Sequence, residues 1–159
     1  MEGEITVDDP RAADVRALLE GHLAFTAEHS PPEDVHALDV ESLVDPSITF
    51  VSYRVAGEVL GVGALKDLGA GHGELKSMHT AAAARGRGVA GAIVEHLAGL
   101  ARERGLTRLS LETGTPEAFG PARSLYARLG FVECGPFGDY GPSVYSTFLT
   151  LDLGDPLSR

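Results

Sequence analysis

The run Arg85-Gly86-Arg87-Gly88-Val89-Ala90 constrains this chain more than any other, because it joins a β-like stretch, Glu74–Thr80, to a long amphipathic helix pattern. Glycines carry no Cβ, so consecutive backbone N–H groups at a helix N-terminus can turn toward one anion, where the helix dipole also favours negative charge. A diphosphate suits such a cradle. The loop lacks the Gly-Lys-Ser/Thr ending of a P-loop, and it lacks the three-glycine dinucleotide pattern followed by an acidic ribose ligand. Both nucleotide readings therefore fall.

The rest of the chain reads as alternating elements. Glu4–Val7 is a short strand, after which Asp9-Pro10 supplies a helix N-cap with proline at the first position, and Val15, Leu18, Leu19 and Leu23 form an apolar face. Ser30-Pro31-Pro32 breaks that helix. Residues Glu33 to Val44 offer a second short one, with Val35, Leu38 and Leu43 inward, ended by Asp45-Pro46. Ile48–Val55 and Glu58–Leu65, joined through Ala56-Gly57, predict a β-hairpin, and Lys66–Gly73 reads as a glycine-rich loop. Val89, Ile93, Leu97 and Leu100 keep helical period from about Gly88 to Glu103, and Gly105 stops the helix. Leu106–Thr113 alternates as a strand, Pro121–Leu129 makes a last helix before Gly130, and Phe131–Cys134 and Val144–Leu153 complete the sheet. This order predicts an α/β (α+β) chain with a mixed, twisted sheet and helices on both faces. With 159 residues the chain fits a single domain over 1–159, long enough to bury a continuous core.

Three ordered motifs resemble the GNAT superfamily of N-acetyltransferases, as a bacterial, single-domain member. Arg85, Gly88 and Ala90 fall on the positions of its Arg/Gln-x-x-Gly-x-Gly/Ala signature. Glu74–Thr80 is similar to the family's fourth strand, and Ala122-Arg123-Ser124-Leu125-Tyr126-Ala127-Arg128-Leu129-Gly130-Phe131 is similar to a late Ala-x-x-Leu-Tyr-x-x-x-Gly-Phe segment. The resemblance covers roughly residues 48 to 153. It implies a mostly antiparallel sheet of about seven strands, with a V-shaped cleft between the fourth and fifth. It also implies acetyl-coenzyme A as donor, its pyrophosphate on Arg85, Gly86, Arg87, Gly88, Val89 and Ala90, and its pantetheine arm along the backbone of Met78, His79 and Thr80. Many members carry an asparagine seven residues before the tyrosine. Here that position is Phe119, and Gly120-Pro121 is expected to disturb the helix start.

The reaction the resemblance implies is direct transfer of an acetyl group from a thioester to an amine. An amine must lose its proton, the carbonyl must be polarised, and the departing thiolate benefits from a proton. Tyr126 lies at the family's general-acid position, and a phenol of ordinary pKa ~10 stays protonated at neutral pH. Glu74 matches a glutamate that serves as base in the ribosomal-protein alanine acetyltransferase branch, through an intervening water. His79, next to the expected acetyl site, is an alternative base. The backbone N–H groups near Met78–Thr80 are the expected carbonyl donors. His22, His29, His36, His72 and His96 show no metal-binding spacing, so no metal is expected, and Cys134, the only cysteine, allows no intrachain disulfide.

Lys and Arg number 13 against 23 Asp and Glu, a net charge of −10 that argues against nucleic acid as partner. An acidic body draws cationic acceptors instead. The family builds its acceptor pocket from the first helices and the last hairpin, here His29–His36 and Pro136–Tyr140, which nominates Glu33, Asp34, His36, Asp139 and Tyr140 for a small-molecule amine. No apolar run approaches the ~18–20 residues of a membrane span, and the acidic Met1-Glu2-Gly3-Glu4 is unlike a signal peptide, which points to the cytoplasm. The long apolar stretch Val144–Leu153, read as an exposed sheet edge, predicts a homodimer. Three functions remain open: an N-acetyltransferase acting on small amines or on protein N-termini or lysines, a non-catalytic acyl-CoA-binding or regulatory module on the same fold, and a toxin-type enzyme acetylating aminoacyl-tRNA. The last needs a basic face, which this acidic chain does not offer.

Overall fold

The computed structural model describes residues 3–20, 41–114, 119–138, 140–142, 144 and 146–154, with the side chains of 41 and 42 left aside. Seven strands form one sheet: β1 (Glu4–Val7), β2 (Ile48–Val55), β3 (Glu58–Gly69), β4 (His72–Thr80), β5 (Arg108–Gly114), β6 (Val132–Cys134) and β7 (Ser146–Asp152), in the spatial order β1-β2-β3-β4-β5-β7-β6. Every pair is antiparallel except β4 with β5. The helices are α1 (residues 13–20), α2 (Val89–Glu103) and α3 (Gly120–Arg128).

Strand alternation sorts the apolar residues into two layers, one on each face. On one, the buried α2 residues Val89, Ile93, Val94, Leu97, Ala98 and Ala101 pack with Leu65, Leu75, Leu109, Leu111 and Leu149, and Tyr126 of α3 joins them. Burial of a large aliphatic side chain contributes ~1.5–3 kcal/mol, so this stripe outweighs the ~1 kcal/mol cost of each of the helix glycines Gly91 and Gly99. On the opposite face, Val15 and Leu19 of α1 and Leu43 of the 3-10 turn Glu41–Val44 cover Phe50, Val62 and Ala64. The expected helix over Glu33–Val44 otherwise lies outside the described residues.

Four expectations change. Lys66–Gly73 is not a loop: β3 runs to Gly69 and β4 starts at His72, so the strands meet through a tight turn at Ala70-Gly71. Asp9-Pro10 opens a turn, with Asp9 Oδ1 accepting the Arg11 N–H, and α1 itself starts at 13. Gly120-Pro121 does not disturb α3 but begins it, since proline in the first turn lacks only an N–H that has no intrahelical partner. The C-terminal strand is not an edge: β7 lies between β5 and β6, and the sheet's outer strands are β1 and β6. The reason given for a homodimer therefore fails.

Close approach of α2 to β3 depends on a missing Cβ. A Cβ on Gly63 would stand 2.6 Å from the Met78 sulfur and 2.7 Å from an Ile93 methyl. Gly63→Val should destabilise by at least the ~1–3 kcal/mol of an overpacked core. A urea midpoint equal to wild type would show that α2 does not pack on this strand as described.

Candidate active site

The β4–β5 ladder holds for three pairs only, His72↔Arg108, Gly73↔Leu109 and Glu74↔Ser110. Beyond Glu74 the strands part, while β5 continues fully paired with β7. A bulge drives the separation. Against β3, Val62 faces His79 and Ala64 faces Lys76, so Ser77 and Met78 together oppose Gly63, with Ser77 in the left-handed region at φ 55°. A bulge bends and twists its strand, here away from β5, and it reverses the alternation. Met78 thereby joins the α2 layer, and His79, opposite Val62, shares a face with Glu74. His79 lies five positions beyond Glu74, roughly 16 Å along an extended strand.

At the far end of β4 the chain makes a 3-10 turn, Ala82–Ala84, and then the cradle. Arg85, Gly86, Arg87 and Gly88 are exposed. Gly86 and Gly88 have φ of 79° and 82°, and nothing lies within 4 Å of the Cβ either would carry, so the outer side of the loop is open. Gly88 caps α2 without any side-chain hydrogen bond, and the first turn contains no acidic residue. The first N–H groups of this 15-residue helix have no intrahelical partner and follow an exposed turn that carries Arg85 and Arg87, which fits an anionic diphosphate.

Tyr126 stands on the cradle side of the sheet. Leu125 beside it lies 3.8 Å from where a Cβ on Gly91 would project, which sets α3 against the first turn of α2. Arg123 donates to the Gly114 carbonyl and ties α3 to the end of β5. Phe119, at the position of the family's asparagine, lays its ring against Gly114 and is a packing residue. The Tyr126 ring meets Phe131 edge-on at 5.6 Å, and burial raises its phenol to about 12. Among the described residues its hydroxyl has no hydrogen-bond partner, yet no fully enclosed side-chain oxygen or nitrogen lacks one. That hydroxyl therefore borders accessible space.

Glu74 points to the other face. Only 3% exposed, it accepts at Oε2 from the Tyr140 hydroxyl at 2.6 Å and from Lys76 Nζ at 3.1 Å. Rings wall this face: Tyr140 lies 5.2 Å from Phe137 and 5.7 Å from Phe148, and His72 lies 5.6 Å from Phe137. His72 Nε2 bonds Ser110 Oγ at 2.7 Å, and burial together with Arg108 lowers its pKa. Ser110 in turn contacts Thr150 Oγ1 at 2.9 Å and is wholly buried, a bridge between strands rather than a nucleophile. Tyr140 is thus the one described member of the nominated acceptor set, since Glu33, Asp34, His36 and Asp139 lie outside the described residues. Lys76 went unnoticed in the sequence. Its position two residues after Glu74 on a strand, hence on the same face, was the available signal. Among the described residues no three His, Cys, Asp or Glu side chains converge on a metal position, and no helix is long and apolar enough to cross a membrane.

Among the described residues the sheet opens at its one parallel pair, with an exposed glycine turn and helix start on one side and a buried carboxylate on the other, the architecture of an acyltransferase. The chain belongs to the acetyltransferase (GNAT) family, whose model matches residues 15–131. It is 46% identical over 149 residues to the uncharacterized N-acetyltransferase YsnE of Bacillus subtilis strain 168, covering 94% of this chain and 99% of that one. It is 37% identical over 150 residues to an IAA acetyltransferase of Azospirillum brasilense, covering 94% and 97%. A crystal structure from Klebsiella pneumoniae, provisionally assigned as an acyl-CoA N-acyltransferase, superposes with a TM-score of 0.79 at 27% identity, covering 96% of this chain and 98% of that one. The family draws its acetyl group from acetyl-CoA.

Because burial holds the Tyr126 phenol up, the unfolded chain ionises at this residue before the folded one. Its stabilisation is complete below ~pH 10, the ordinary phenol value, and is lost as pH rises through about 12. Urea midpoints should fall across that window and fall less in Tyr126→Phe. Parallel curves for the two proteins would place Tyr126 outside the core.

Proposed function

We propose that the chain is an acetyl-CoA-dependent N-acetyltransferase that acetylates the primary amine of a small molecule directly, without a metal. The observation that carries this reading is the end of the β4–β5 ladder at Glu74, with the cradle and Tyr126 on one face and Glu74 on the other. Acetyl-CoA, when bound, supplies the activated acetyl group. The N–H groups at the start of α2 and the loop Arg85–Ala90 hold its diphosphate, and the β4 backbone from Met78 to Thr80, past the end of the β4–β5 ladder, receives its arm and polarises the carbonyl. Glu74 takes the ammonium proton through a water, so that the neutral amine attacks. The C–N bond forms as the C–S bond breaks, and Tyr126 gives its proton to the departing sulfur. The second amine proton restores the phenol, leaving one amide, one thiol and one proton released to solvent.

The aromatic wall of Phe137, Tyr140 and Phe148 beside Glu74 favours acceptors with a flat apolar body. A library of amines, with aromatic amines and the IAA named for the Azospirillum relative included, read by thiol release from acetyl-CoA, tests the assignment. Turnover of aromatic amines supports it, and no thiol release with any acceptor contradicts it. A homodimer, if formed through sheet edges, has β1 or β6 to use, and light scattering reads it.

Gly88→Val places a β-branched residue at φ 82° and should abolish acetyl-CoA binding in calorimetry while leaving the fold intact. Unchanged affinity would remove the cradle assignment. Tyr126→Phe should lower kcat by ~10²-fold or more with little change in cofactor affinity, as for a proton donor. Full activity would leave Tyr126 a packing residue.

A further inference from the structure

We propose that Tyr140 and Lys76 are positioning residues that occupy Oε2 of Glu74 and leave Oε1 as the one carboxylate oxygen turned to the acceptor. This rests on the reading of Glu74 as the base. The Tyr140 hydroxyl, Lys76 Nζ and Glu74 Oε2 close a triangle of 2.6, 3.1 and 3.3 Å, and both donors fall on the same oxygen. Oε1 has no partner among the described residues. Since every fully enclosed polar side-chain atom there is partnered, Oε1 borders accessible space although Glu74 is 3% exposed.

A carboxylate turns easily about its last torsion, which has broad two-fold wells. Two donors on one oxygen fix its plane. The pair is itself held: Lys76 follows Glu74 by two strand positions and sits over the Tyr140 ring at 5.6 Å, and the Tyr140 N–H donates to the Phe137 carbonyl at 3.1 Å. Phe137 and Phe148 then clamp the ring. Burial first, then the Glu74 charge and hydrogen bond, then the charge of Glu112 on β5 push the Tyr140 phenol well above its ordinary range, so its hydroxyl remains a donor at any working pH. Tyr140 therefore cannot accept the amine proton; that proton has only the Oε1 side to use. A reacting group held in its productive orientation gains rate without gaining affinity.

The test compares wild type, Tyr140→Phe, Lys76→Met, Lys76→Arg and Glu74→Gln with the best acceptor of the screen, alongside NMR of tyrosine labelled with carbon-13 at Cζ. Tyr140→Phe keeps the ring packing and should lower kcat about tenfold or more with the KM for acetyl-CoA unchanged. Lys76→Met should do the same, and Lys76→Arg should recover most of the loss. In Glu74→Gln the Tyr140 Cζ resonance should move at neutral pH, because its hydroxyl no longer donates to a charged oxygen. Wild-type kcat in Tyr140→Phe beside an inactive Glu74→Gln overturns the positioning role alone. A fully active Glu74→Gln overturns the base assignment on which it rests. An unmoved Tyr140 Cζ resonance in Glu74→Gln overturns the hydrogen bond itself, and it is readable even where no acceptor turns over.

Discussion

The hydrogen-bond ladder between β4 and β5 stops at Glu74↔Ser110, and the rest of the site depends on that stop. A sheet normally separates whatever lies on its two faces. Here the bulge at Ser77 and Met78 turns β4 away from β5 while β7 keeps β5 in place, so the barrier opens at one point. In the proposed reaction, a donor seated on the α2 face meets an acceptor seated on the Glu74 face through that opening. The β4 backbone beyond Glu74 runs on past the end of its parallel ladder with β5.

The two faces are built differently. The α2 face is apolar, with Gly63 on β3 permitting close helix approach, and it packs α2 and Tyr126 of α3 into one layer. The Glu74 face carries charge, and a buried carboxylate is tolerated only when paired and hydrogen-bonded. Lys76 and Tyr140 supply both. The acidic surface inferred from net charge does not describe this inner site, where Lys76 and aromatic rings surround Glu74, with Glu112 of β5 near enough to act on Tyr140.

Much of this was legible in the sequence. The helical period of Val89, Ile93 and Leu97 and the stop at Gly105 placed α2 to within a residue, and Arg85-Gly86-Arg87-Gly88 marked the turn that opens it, because local patterns dictate local structure. What failed was non-local or depended on an unmarked backbone state. Glycine content made Lys66–Gly73 read as a loop, although cross-strand pairing carries β3 to Gly69. The insertion of β7 between β5 and β6 is a pairing between distant segments, which periodicity does not encode. The bulge that opens the site uses Ser77 at positive φ, a serine giving no warning where a glycine would have. Glu74 was found by resemblance, whereas Lys76 was there to be read from two-residue spacing alone.

A crystal structure with coenzyme A bound tests the central claim most directly. The account predicts the diphosphate on the N–H groups at the start of α2, the arm along Met78–Thr80, and the sulfur in the gap between β4 and β5, within reach of the Tyr126 hydroxyl and across the sheet from Glu74. A sulfur lying away from that gap, or a cofactor seated on the Glu74 face, would contradict it.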